Sequence, residues 1–243
     1  PQIHGDHRDT SACILLENPF SPSSLNVPEP VACVAAVMST YPHAWALCGG
    51  WAVDSWLGRV TREHADLDIA VFESDQRALL EHLAEWNLIA HDEDEPQAIE
   101  PWTGRPLVLP AHLHAREPGL ENAALVRQWV TPPYTQAKDG RDFEFIVNPG
   151  AGTEWVFSGV PRIAVPVAVC VRESSWGLPT LAPEAIAFYK ATAYFGHPKL
   201  WARPRDVSDF EALVPLLDGA QRWWLLAAIE RLFPDHPWLP SLK

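Results

Sequence analysis

Hydrophobic and polar positions along this chain fall into three regimes. Short apolar runs bounded by turn residues dominate up to about residue 91, 98–140 shows no sustained period, and from about 180 the apolar positions recur at helical spacing. In the first regime, residues 29–40 predict a helix, with Pro30 in its first turn and Pro42 just past its end. Residues 44–48 read as a short buried strand, Gly49-Gly50 as a turn, and 51–57 as a short helix closed by Gly58. A polar loop over 59–65 leads into a second strand, 66–72. Ser74 caps a helix over 75–86, whose apolar face carries Leu79, Leu80, Leu83 and Trp86. Residues 87–91 read as a strand and 92–97 as an acidic turn.

Within 98–140 only 107–109 and 111–115 resemble strand pieces, and a helical turn is expected around 121–128. Pro118, Pro132 and Pro133 punctuate the rest, so the segment reads as an insertion or lid. Alternation returns in 141–147, with shorter strands expected at 154–157 and 161–165. Helices over 182–195, 205–217 and 219–232 predict a small bundle. The pattern gives an α+β chain in three parts. These are an irregular arm over 1–28 with an edge strand at 12–16, a sheet-containing domain over 29–175, and a helical C-terminal domain over 176–243.

Composition refines this picture. The 243 residues are 47% hydrophobic and 20% charged, enough apolar content for a core, so the 24 prolines mark loop boundaries and not disorder. The net charge of −13 argues against a broad nucleic-acid footprint and suits a cationic small molecule better. Cys13, Cys33, Cys48 and Cys170 form no CxxC pair and read as free thiols in a reducing compartment. The polar start lacks the features of a signal peptide, and no apolar run approaches the roughly 18 residues of a membrane span. A cytoplasmic protein without a membrane partner is expected.

The candidate chemistry lies in 46–73. Asp66 and Asp68 alternate on a predicted strand, so both carboxylates face one way and repel unless a cation lies between them. Such a pair can bridge two Mg²⁺ ions roughly 3.5–4 Å apart, with a third acid on a neighbouring strand. Strand 141–147 offers Asp142 and Glu144 on one face, and Glu144 sits deeper in the apolar run. A carboxylate there also suits a general base for an acceptor hydroxyl. Gly49 and Gly50 leave backbone N–H groups bare at a helix start, where a triphosphate could approach. Arg59, Arg62 and His64 follow within reach of phosphate oxygens. Lys190 either reaches across a cleft to the leaving phosphates or snorkels to the surface. Each signal has a plainer reading. An isolated Asp-x-Asp is usually a solvated strand face, and a Gly-Gly pair is usually structural. His4 and His7 read as solvated. His112 and His114 share the spacing of metal ligands but fit a strand edge better. Trp102 and Trp129 suit either core packing or stacking on a ligand. P-loop, GxSxG, complete GxGxxG and HExxH motifs are absent.

The stretch Gly49-Gly50-Trp51-Ala52-Val53-Asp54, continued by Leu57-Gly58-Arg59-Val60-Thr61-Arg62-Glu63-His64-Ala65-Asp66-Leu67-Asp68-Ile69, closely resembles the aminoglycoside 2″-adenylyltransferase and lincosamide nucleotidyltransferase group. Trp155-Val156-Phe157, Pro161-Arg162-Ile163, the helix holding Lys190, Arg203-Pro204-Arg205-Asp206-Val207-Ser208-Asp209-Phe210 and His236-Pro237-Trp238-Leu239 resemble its later landmarks. The resemblance implies a polymerase-β-like nucleotidyltransferase fold, a mixed sheet with flanking helices plus a helical C-terminal domain. It implies Asp66, Asp68 and Glu144 as metal ligands, and triphosphate contacts from Gly49, Gly50 and Lys190. It further implies Mg²⁺-dependent transfer of a nucleotide, AMP from ATP, to a hydroxyl of a small molecule such as an aminoglycoside or lincosamide. Arg205 departs from the Lys that relatives often carry, keeping the charge but changing its geometry. A toxin-like enzyme acting on protein or tRNA, and a non-catalytic nucleotide-binding relative, are the competing expectations.

Overall fold

In the computed structural model of the chain, the described residues are 27–64, 66–95, 101–116, 142–157, 163–192 and 203–243. The expected strand at 12–16, His4 and His7, the helical turn at 121–128 and Trp129 lie outside them.

The strands in chain order are β1 (Ala46–Leu47), β2 (Asp68–Phe72), β3 (Asn87–His91), β4 (Ala111–Arg116), β5 (Asp142–Asn148), β6 (Glu154–Val156), β7 (Ala164–Pro166), β8 (Val171–Glu173) and β9 (Pro179–Leu181). Seven form one mixed sheet in the order β3-β4-β5-β2-β1-β9-β8, and β6 and β7 form a separate antiparallel ribbon. β2 runs parallel to β5, β9 parallel to β1, and the other neighbours are antiparallel. The α+β mixed sheet with flanking helices is therefore present as expected.

Alternation gives the central strands two different faces. Ile69 and Val71, Phe143, Phe145 and Val147, and Leu113 alternate along one side and are buried. Trp86, just after the helix Gln76–His82, stacks on Phe143 with ring centroids 5.2 Å apart. Helix α1 (Glu29–Met38) adds Val31, Val34 and Met38 to the same core. The other side holds Asp68, Ala70, Glu144, Ile146 and Asn148, and it faces the C-terminal helices.

The helix Pro183–Thr192 buries nearly all its circumference, so it reads as the inner member of that group. Phe188 meets Phe157 at 4.8 Å and Trp224 at 5.7 Å. The helix Pro204–Leu213 packs alongside, and Phe210 stacks on Trp238 at 4.2 Å. The helix Gly219–Leu232 opens with a full capping box between Asp218 and Gln221.

The structure departs from the sequence pattern at several element ends. The helix after β1 spans Gly49–Leu57, so Gly49 and Gly50 are its first two residues and not a turn before it. β2 begins at Asp68, leaving Asp66 in the preceding loop. β1 becomes a helix immediately after Cys48, whose N–H bonds to Asp68 O, so no β1 partner remains for residue 66. β9 lies beyond residue 176 yet pairs with β1, so the helices proper begin at Pro183. Trp102 is a core residue whose indole N–H donates to Arg105 O at 2.8 Å.

Because Phe188 is fully buried between Phe157 and Trp224, Phe188→Ala should destabilise the fold by about 3–5 kcal/mol. Urea unfolding of the two proteins checks this, and a loss well under that range would place Phe188 in a site able to collapse around the gap.

Candidate active site

Parallel pairing of β2 with β5 sets Asp68 opposite Glu144. Asp66, at the end of the loop entering β2, adds a third acid. One carboxylate oxygen from each of the three lies within 4.8 Å of the others. Water-poor surroundings and like charge both disfavour this arrangement. The Asp68 carboxyl is accordingly pushed well above its ordinary pKa, first by burial, then by Glu144 and Asp66, while Lys190 and Arg205 pull against the rise. Three convergent oxygen donors fit a hard divalent cation such as Mg²⁺, and a cation there would relieve the repulsion.

Gly49 supplies the space for this cluster. Its φ is +64°, and a Cβ at that position would fall 1.7 Å from Asp68 Oδ2. Gly50 is crowded differently, since a Cβ there would lie 2.4 Å from His64 Nδ1 and 2.7 Å from an Arg62 guanidinium nitrogen. The glycine pair thus admits the protein's own side chains to the start of the helix.

The cluster opens into a cavity of about 660 Å³. Asp66, Asp68, Glu144 and His112 line its sheet side, with Gly49, Gly50 and Arg62 beside them. Lys190, Arg203, Arg205 and Asp206 line it from the C-terminal helices and the residue before them. Lys190 donates to Asp209 at 2.6 Å and to Asp206 at 3.3 Å, and Arg62 donates to Asp209 at 3.0 Å. Burial acts to raise the Asp209 carboxyl, but Arg62 and Lys190 outweigh it and hold the pKa below the usual carboxylate range. Two cations from opposite walls are therefore tied to one buried acid.

Of the residues anticipated from the sequence, Asp66, Asp68, Glu144, Gly49, Gly50, Arg62 and Lys190 line this one cavity. His64 does not. Its buried Nε2 donates to Asp54 Oδ2 at 2.6 Å, its ring lies 4.5 Å from that of Trp51, and Thr61 Oγ1 donates to Asp54 Oδ1 at 2.5 Å. These bonds pin the loop carrying Arg62 to the helix Gly49–Leu57. Arg59 is exposed and outside the lining. The side chain of Asp142 lies outside the described residues. His112 is the group that sequence reasoning set aside. Its Nδ1 lies 2.5 Å from Glu144 Oε1, a bond that raises the imidazole pKa against the opposing effect of burial. By contrast, burial pushes His114 down to about 4. The His-x-His spacing was visible, but the β4–β5 register that delivers His112 to Glu144 was not.

The mixed sheet and the acid cluster facing a cationic wall form the arrangement that the resemblance to nucleotidyltransferases leads one to expect. Residues 31–103 match the model of the family described as aminoglycoside-2″-adenylyltransferase, which bears out the resemblance. The fold is similar to the solution structure of the antibiotic-resistance factor ANT(2″)-Ia. The TM-score is 0.50 and identity 15%, over 84% of this chain and 91% of that one. It is also similar to the crystal structure of ANT(2″)-Ia in complex with adenylyl-2″-tobramycin, with TM-score 0.50 and identity 16% over 83% and 95% of the two chains. The lincomycin-bound lincosamide antibiotic adenylyltransferase LnuA gives TM-score 0.47 and identity 12%, over 79% and 98%. Sequence comparison with curated proteins finds no match.

Asp68 provides a stability test. Its folded-state pKa lies above the unfolded value, so metal-free protein should lose stability as pH rises from the usual carboxylate range through the raised value. Asp68→Asn should flatten that fall and raise the metal-free Tm near neutral pH by about 2–4 °C per kcal/mol relieved. Calorimetric scans across pH decide it, and an unchanged or lower Tm for the variant would contradict the assignment.

Proposed function

We propose that this chain transfers AMP from ATP to a hydroxyl of a small cationic acceptor of the aminoglycoside kind, releasing pyrophosphate. One observation carries the reading: three convergent acids at the sheet side of a cavity face Lys190 and Arg205 across it, with Arg62 beside the acids. Nucleotidyl transfer concentrates negative charge on phosphate oxygens, and preorganised cations lower the barrier to it.

Asp66, Asp68 and Glu144 would hold Mg²⁺, as one or two ions. When bound, the metal supplies positive charge to the triphosphate and acidifies the attacking hydroxyl. The chain's own groups do the rest. Lys190 and Arg205 hold the departing pyrophosphate, with Arg62 beside the start of the helix Gly49–Leu57 adding charge where backbone N–H groups are also available. Asp54, through His64, fixes the loop that carries Arg62. Asp206 and Asp209 keep Lys190 extended toward the cavity. Glu144 takes the proton from the acceptor hydroxyl.

The acceptor class rests on the family match over 31–103 and on the structural neighbour solved with adenylyl-2″-tobramycin. A net charge of −13 favours a cationic acceptor and disfavours tRNA. Cys48 and Cys170 are buried free thiols, in keeping with a cytoplasmic enzyme that draws on ATP. Among the described residues no helix is long and apolar enough to cross a membrane.

The test is pyrophosphate release from each of four nucleoside triphosphates with Mg²⁺ and a panel of aminoglycosides and lincosamides. Release is expected with ATP and an aminoglycoside, and the Asp66→Ala/Asp68→Ala double variant should lose about 1,000-fold or more of it. Undiminished Mg²⁺-dependent transfer by the double variant would overturn the site. Labelling of a macromolecule and of no drug would overturn the acceptor.

A further inference from the structure

Of the three acids, Asp68 is confined by its packing against Gly49. Glu144 reaches the cluster from the neighbouring strand on a side chain one methylene longer. Its extra torsion is one more degree of freedom to fix, and two like charges repel its carboxylate. One strand further out, β4 presents two histidines on the same side. His114 is the register partner of Glu144, and His112 is the partner of Ile146. The diagonal reach brings His112 Nδ1 to 2.5 Å from Glu144 Oε1. The His112 side chain is 45% exposed and lines the cavity, so it is not needed as core filling.

The geometry points to His112 as a positioning residue for Glu144. A donor on Oε1 restricts rotation of the carboxylate and offsets part of the repulsion among three acids. Outer partners of this kind orient metal-binding carboxylates and tune their basicity. The inference deepens the nucleotidyl-transfer reading and rests on it for its effect on turnover. Its effect on cation affinity follows from the acid cluster alone. Lys190 and Arg205 lie on the opposite wall, so nucleotide affinity should be largely untouched by a change at His112.

The test uses the full chain and two variants. His112→Leu keeps bulk and removes the donor, whereas His112→Asn keeps an N–H donor near the Nδ1 position. Mn²⁺ alone is titrated against each protein by electron paramagnetic resonance of the free ion, with Tm recorded as a check on folding. Steady-state pyrophosphate release follows with ATP, Mg²⁺ and an acceptor that the wild type uses. His112→Leu should weaken Mn²⁺ binding by about 10–100-fold. It should lower kcat at saturating metal while leaving KM for ATP within about twofold. His112→Asn should recover most of both losses. Wild-type Mn²⁺ affinity in His112→Leu overturns the inference. So does equal impairment of the Leu and Asn variants, which would assign His112 to packing. If the wild type transfers nucleotide to no acceptor, the functional reading falls while the Mn²⁺ arm still decides His112. A wild type that binds no Mn²⁺ overturns both.

Discussion

Mutual repulsion of three carboxylates is the constraint around which the rest of the molecule is arranged. A folded chain does not gather Asp66, Asp68 and Glu144 within 4.8 Å unless other features compel it. The parallel β2–β5 register is one such feature, since a shift of one residue would turn Glu144 toward the apolar core. The bare backbone of Gly49 is another, because any side chain there would occupy the position of the Asp68 carboxylate. The cations on the opposite wall are the third. They lower the electrostatic cost of the cluster without removing it, which leaves Asp68 strongly perturbed. Perturbation of this kind is the usual mark of a group arranged for chemistry and not for stability.

The C-terminal helices are therefore half of the site. Lys190 comes from the most buried of them, and its partners Asp206 and Asp209 come from the next. Arg62 reaches Asp209 from a loop on the sheet side, so the same acid joins both walls. The Asp54–His64 contact beneath that loop is wholly buried and sets where Arg62 can stand. Through this chain of contacts the packing of apolar residues such as Phe188 and Phe210 is coupled to the position of charged groups in the cavity.

Much of this was legible before any coordinates. The alternation read in 66–72 and 141–147, helical spacing beyond 180 and Gly58 as a helix stop all follow local physical rules, and the structure follows them from Asp68 and from Asp142 onward. The joint spacing of Gly49-Gly50 and Asp66-x-Asp68 pointed to one place because short elements joined by short loops must pack near one another. Legibility failed where a role depends on a partner far along the chain. His64 sits in the loop that carries Arg62 to the cavity, yet it turns inward because Asp54 offers a buried acceptor. Arg59, five residues before His64, is exposed.

The sequence by itself determined the period of each element, the chemistry of its polar residues and the placing of Asp68 and Glu144 on the side of their strands away from the apolar core. Those properties are local, set by side-chain alternation and backbone preference. Only the tertiary structure decided that Glu144 stands beside Asp68, that Lys190 and Arg62 share Asp209, and that His112 rather than His114 meets the third carboxylate. Each of these depends on strand register or on helix packing between separate elements. Such pairings are fixed by burying one apolar face against another, an energy that no single segment carries alone.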